Sequence, residues 1–179
     1  MTPPGGKGFL LVASPELRDP NFVRTVVLMV QHDREGAFGL VLNRPTTHHL
    51  SEVLDDLDPR WADVTLHQGG PVQTNLLQFV LRSEAPGTPV VPGLSVGATV
   101  DDLEEAGVGA GDVRAVVGYS GWGAQQLERE TEEGSWIVLP AAPRHVFEIP
   151  PERLWATVLR ESGGSHAWMS LSDGDPSDN

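Results

Sequence analysis

Short apolar runs, each closed by turn-forming residues, dominate this chain and limit the folds open to it. Residues 8–14 read Gly-Phe-Leu-Leu-Val-Ala-Ser and stop at Pro15, and residues 26–30 read Val-Val-Leu-Met-Val. Continuous runs of that length suit strands covered on both faces. Asp33-Arg34-Glu35-Gly36 is a turn signal, so the run returning over 38–43 predicts a hairpin, which Pro45 ends. Further strands are predicted at 64–67, 76–81, 95–100, 113–117 and 136–139, with 86–92 a loop. Helical spacing appears at Leu50, Val53, Leu54 and Leu57, and in a short acidic helix capped by Asp101 and ended by Gly107. It returns over 124–132, and over 151–161 with Leu154, Trp155, Val158 and Leu159 on one face. Hairpins outnumber strand–helix–strand units. The expected class is therefore α+β, a mixed and mostly antiparallel sheet with helices packed on it.

The length of 179 residues suits a single domain, expected over 8–171 with a disordered start at 1–7 and a frayed tail at 172–179. No apolar stretch approaches the ~20 residues that span a bilayer, and the start carries no apolar signal core, so the expected location is cytoplasmic. The absence of cysteine removes disulfides, thiolate nucleophiles and Cys-ligated zinc. Net charge is −13 and uneven: five basic against four acidic residues leave +1 over 1–49, and seven against twenty-one leave −14 beyond. Such a balance repels a phosphate backbone, so direct nucleic-acid binding is not expected.

A set of motifs runs in order along the chain: Leu10-Leu11-Val12-Ala13-Ser14-Pro15 with Asp19-Pro20-Asn21-Phe22, then 32–45, which reads His-Asp-Arg-Glu-Gly-Ala-Phe-Gly-Leu-Val-Leu-Asn-Arg-Pro. Gly69-Gly70-Pro71-Val72, Gly118-Tyr119-Ser120-Gly121-Trp122-Gly123, Gln126-Leu127-Glu128, Ser135-Trp136 and a terminal Asp175-Pro176-Ser177-Asp178-Asn179 follow. With these the chain resembles the bacterial AlgH/YqgE proteins across nearly its whole length. The resemblance implies a barrel-like sheet with flanking helices and supplies no reaction. It also carries a label, transcriptional regulator, which the acidic charge disfavours here. Ser120 stands where those proteins typically have alanine, and Asp178 where they have leucine.

No catalytic set can be assembled. Ser120 lies between a strand and a helix, as a nucleophile elbow would, but Trp122 occupies the position where the elbow needs glycine. His145 and His166 lie in no recognisable triad context. The adjacent His48 and His49 would point about 100° apart on a helix, and Asp55-Asp56-Leu57-Asp58 lacks the glycine and later glutamate of a calcium loop. Gly5-Gly6-Lys7 and the glycines at 107, 109 and 111 lack nucleotide-loop spacing, so neither metal nor cofactor is expected. The expected function is a non-catalytic regulatory domain that binds a small anionic ligand or a protein partner; the alternative is a hydrolase with unidentified groups. The candidate ligand site joins Asn43, Arg44 and Pro45, the Gly69-Gly70-Pro71 turn, and Gly118, Tyr119, Gly121 and Trp122. Glycines allow close backbone approach, Arg44 offers a fork of donors, and Trp122 offers an apolar wall.

Overall fold

The computed structural model describes residues 6–97 and 99–163; residues 1–5 of the disordered start expected over 1–7, the tail at 172–179 and His166 lie outside them. The described elements are β1 (Phe9–Ala13), β2 (Val26–Asp33), β3 (Gly36–Val41), β4 (Pro45–His49), β5 (Thr65–Gln68), β6 (Val72–Leu81), β7 (Thr88–Val91) and β8 (Leu94–Gly97), then α1 (Val100–Ala106), β9 (Val113–Gly123), α2 (Gln126–Glu132), β10 (Trp136–Pro140), α3 (Pro143–Phe147) and α4 (Pro151–Glu161). Eight strands form one curled path, β10-β1-β2-β3-β9-β6-β8-β7, and β4 joins through β5. Only the β5–β9 pairing is parallel among the described strand pairs. The α+β class and the mixed, mostly antiparallel, barrel-like sheet are both present.

Curling brings the last strand round to the first. The Val90 carbonyl oxygen of β7 lies where a Cβ on Gly8, just ahead of β1, would come within 2.7 Å of it. The sheet thus has an inside and an outside, and each continuous apolar run serves both. All five residues of β1 are buried, with Leu10 and Val12 inside and Phe9, Leu11 and Ala13 outside. The inside is filled at one end by α4, whose Leu154, Trp155, Val158 and Leu159 pack there as their spacing predicts. The Trp155 indole N–H donates to the Ala13 carbonyl at 2.7 Å. The buried Arg114 guanidinium closes the same end, donating to the carbonyls of Leu42 and Val146, each at 2.5 Å. Outside, α2 covers the β1–β3 half, while Trp61 and Leu103 of α1 cover the β5–β6–β9 half.

Several local expectations are corrected. Residues 118–123 are not a turn but the second half of β9, paired with β3 from Gly39–Ser120 to Gly36–Gly123. The helix expected over Leu50, Val53, Leu54 and Leu57 is a single 3-10 turn, Leu50–Glu52, and Val53 is 53% exposed. Of the four only Leu50 is buried; Leu54 and Leu57 are half-buried against the same outer cluster, without a helix to carry them. Pro45 does not end the strand region but opens β4, an exposed strand that holds His48 and His49. The 86–92 loop contains β7, an edge strand where Pro89 is tolerated. Thr99, not Asp101, caps α1, through its side chain and the Asp102 amide, while Gly107 ends the helix at φ 67° as expected. The short α3 went unread because Pro143 and five residues leave too little periodicity.

Candidate functional site

At the end opposite α4 the described residues leave the barrel open, and two irregularities decide which side chains face that mouth. In β2, Leu28 points inside and Met29 outside, as alternation requires. Pairing then skips from Met29–Gly39 to Gln31–Phe38, so Val30 is an extra, bulged residue. Unbroken alternation would send Gln31 outward beside Met29. With the bulge, Gln31 joins Val30 at the mouth, and His32 turns outward to meet Phe9 edge-on at 6.2 Å.

The second irregularity lies in β9. Val116 faces inside and Val117 outside. Pairing with β6 then jumps from Val117–Leu77 to Tyr119–Val72 across Gly118, which has φ 76°. That conformation favours glycine, and a Cβ there would also approach the Gly70 carbonyl oxygen to 2.5 Å. The bulge shifts the phase by one residue. Tyr119 consequently faces the inside, and Trp122 packs outside.

The mouth holds two adjoining hollows that share Gln31 and Phe38. One, of about 460 Å³, lies among Val30, Phe38, Gln78, Thr88 and Val96. Its neighbour, of about 480 Å³, runs past Asp33, Phe38, Val72, Tyr119 and Gly121. Phe38 and Tyr119 are half-buried and meet edge-to-face with centroids 5.3 Å apart, which fixes both rings where the hollows join. Gln78 follows the inward phase of Val80, and its Oε1 is enclosed without a hydrogen-bond partner. At the rim, the Asp33 carboxylate accepts from the Gln31 amide at 2.9 Å and from the Glu35 N–H at 2.8 Å. Those bonds, the side-chain one first, hold its pKa below the ordinary carboxylate value.

The residues expected to form one site divide between two places. Tyr119, Gly121 and Trp122 border the larger hollow, but the Trp122 ring is no open wall. It is 5% exposed, stacks on Phe22 at 5.8 Å and donates its N–H to Glu130 at 3.0 Å, as does Trp136 at 2.9 Å. Arg44, Gly70 and Pro71 line a separate hollow of about 10 Å³, at the lower limit for a single water. The Arg44 guanidinium donates to the carbonyls of Asn21, Pro20 and Val23 at 2.7, 3.2 and 3.3 Å. Burial pushes its pKa down, partly offset by Asp19. Asn43 accepts from the Val26 N–H at 3.0 Å and donates to the Arg24 carbonyl at 2.8 Å, so the pair clamps the 20–24 loop.

The three segments do converge, through their backbones. The Gly69 carbonyl accepts from the Val41 N–H at 2.9 Å and from the Ser120 hydroxyl at 3.0 Å. The Gly69 N–H donates to Val117 at 2.8 Å, and a Cβ on Gly70 would lie 2.2 Å from the Tyr119 carbonyl. Gly118 is a buried part of that crossing. Ser120 itself is fully buried. His145 sits on α3 at the plugged end, its Nδ1 accepting from the Ala142 N–H at 3.0 Å and its Nε2 3.6 Å from Glu161. Among the described residues no cluster of His, Asp and Glu could hold a metal, and no helix is long and apolar enough to cross a membrane. Gln31, Phe38 and Gln78 were not singled out from sequence, since only the bulge and the curl bring them together.

Residues 10–167 match a family model described as AlgH-like. A UPF0301 protein of Chlorobaculum tepidum is 40% identical over 173 residues, covering 92% of this chain and 91% of its own. One from Streptomyces coelicolor is 40% identical over 192 residues, covering 95% and 93%. The solution structure of the AlgH protein from Pseudomonas aeruginosa is similar with a TM-score of 0.75 and 34% identity, covering 98% of this chain and 96% of that one. The crystal structure of protein DIP2367 from Corynebacterium diphtheriae has a TM-score of 0.78 at 24% identity, covering 93% and 92%, a likeness of fold alone.

Proposed function

We propose that this chain, which belongs to the AlgH-like family, is a non-catalytic cytoplasmic regulatory domain that holds a segment of a protein partner in the open mouth of its barrel. One observation carries the reading: two bulges, in different strands, both turn side chains toward the same opening. Bulges concentrate beside functional sites because they re-aim side chains that strict alternation would point elsewhere. Barrel mouths are also a usual place for ligands. Of the two partner classes expected from sequence, the protein segment has the better support. A small anion would meet Asp33 and Glu35 at the larger hollow, and the Arg44 donors that would have greeted it already bind carbonyls. An open trough of two joined hollows suits an extended chain better than a small molecule, which a closed pocket would surround.

The test is an amide-shift titration of the isotope-labelled full chain with a pool of randomised six-residue peptides. The reading expects shifts at Val30, Gln31, Phe38, Thr88 and Gly121, weakened at least tenfold in Gly121→Trp, whose ring would occupy the larger hollow. A titration that leaves those amides unmoved refutes it.

A further inference from the structure

The mouth is not neutral along its length, and its polar groups have a direction. At the β2–β3 end stand Asp33 and Glu35, both exposed and both bordering the larger hollow. Arg34 lies in the same turn but borders neither hollow. In the middle, Phe38 and Tyr119 present half-buried ring surface. Deeper on the β6 side, the half-buried Gln78 lines the other hollow. Lys7 borders the other hollow, next to Gly6, whose N–H donates to the His32 carbonyl at 2.7 Å.

Resting on the reading of the mouth as a segment-binding groove, we infer that the segment is basic: an extended stretch carrying an arginine or lysine next to an aromatic or branched apolar residue. The cation lies toward Asp33 and Glu35, and the apolar side chain covers Phe38 and Tyr119. An arginine fits best, since its planar group can donate to the carboxylates and lie against an aromatic face together. A second copy of this chain is disfavoured as occupant, because its net charge of −13 would meet an acidic rim.

Three synthetic peptides test this on the full chain: Gly-Phe-Arg-Val-Gly-Ser, the same with glutamine for arginine, and the same with glutamate, all with blocked ends. Amide-shift titration gives both the place of binding and the affinity. The arginine peptide is expected to bind in the mouth roughly five- to tenfold tighter than the glutamine peptide, with glutamate weakest, an order that fades in about 0.5 M salt. In the Asp33→Asn, Glu35→Gln double variant, which keeps the turn acceptor at 33, the arginine advantage should vanish. If the arginine and glutamine peptides bind the mouth equally, the basic-segment inference fails while the groove reading stands. If none of the three shifts a mouth residue, both fail.

Discussion

The Ser120 hydroxyl points away from the mouth and donates to a Gly69 carbonyl that already holds the Val41 N–H. Removing it leaves that carbonyl still paired, so Ser120→Ala is expected to cost only about 1 kcal/mol. A fluorophosphonate probe should not label the folded protein, because the oxygen is fully buried; stoichiometric labelling at Ser120 would restore the hydrolase reading. His67 has a larger signature. Burial first, then the charge of Arg114, push its pKa from 6.5 down to about 4. As pH falls, the unfolded imidazole takes its proton before the folded one. The neutral His67 contribution is therefore intact above its unfolded pKa of 6.5 and is lost progressively toward the folded value near 4. Between pH 7 and pH 5 the native protein should lose roughly 2 kcal/mol more stability than His67→Gln, which cannot titrate there. Equal losses in denaturant melts at the two pH values would show that His67 is not held neutral.

At the scale of elements, strand existence was legible and strand phase was not. The apolar runs over 8–14, 26–30 and 113–117 each mark a real strand, because a run buried on both faces needs no partner to be recognised. Val30 and Gly118 cannot be told from ordinary strand residues by composition. Their effect appears only when β3 and β6 are alongside to show the skipped pairing. The glycine-rich 118–123 stretch therefore predicts a turn, and Tyr119 and Trp122 look like neighbours on one site when they face opposite sides of β9. The two nearby glycines separate these effects. Gly118→Ala meets both a positive φ and a backbone clash and is expected to cost about 2–4 kcal/mol. Gly121→Ala, whose Cβ would stand 3.7 Å from the Tyr119 ring, should cost less than about 1 kcal/mol. Comparable melting temperatures for the two variants would remove the bulge at 118 from the account.

For the whole molecule, hairpin counting recovered the α+β class, and ordered motifs recovered the family. The inside and outside of the barrel were beyond reach, because they depend on β7 meeting Gly8, a contact between segments more than eighty residues apart. The candidate site was legible in part for the same reason. Gly121 and Tyr119 belong to the mouth, whereas Arg44, Gly70 and Pro71 belong to a backbone crossing that no local pattern distinguishes from a groove. These alternatives sit at different places on the surface, so a map of contacts can separate them. The most direct measurement is photo-crosslinking of the full chain with benzophenone-bearing peptides from the randomised pool, with adducts located by mass spectrometry. The account expects adducts at Val30, Gln31, Phe38, Thr88 and Tyr119. Adducts gathered instead around Asn21, Arg44 and Pro71, or scattered over the surface, would contradict it.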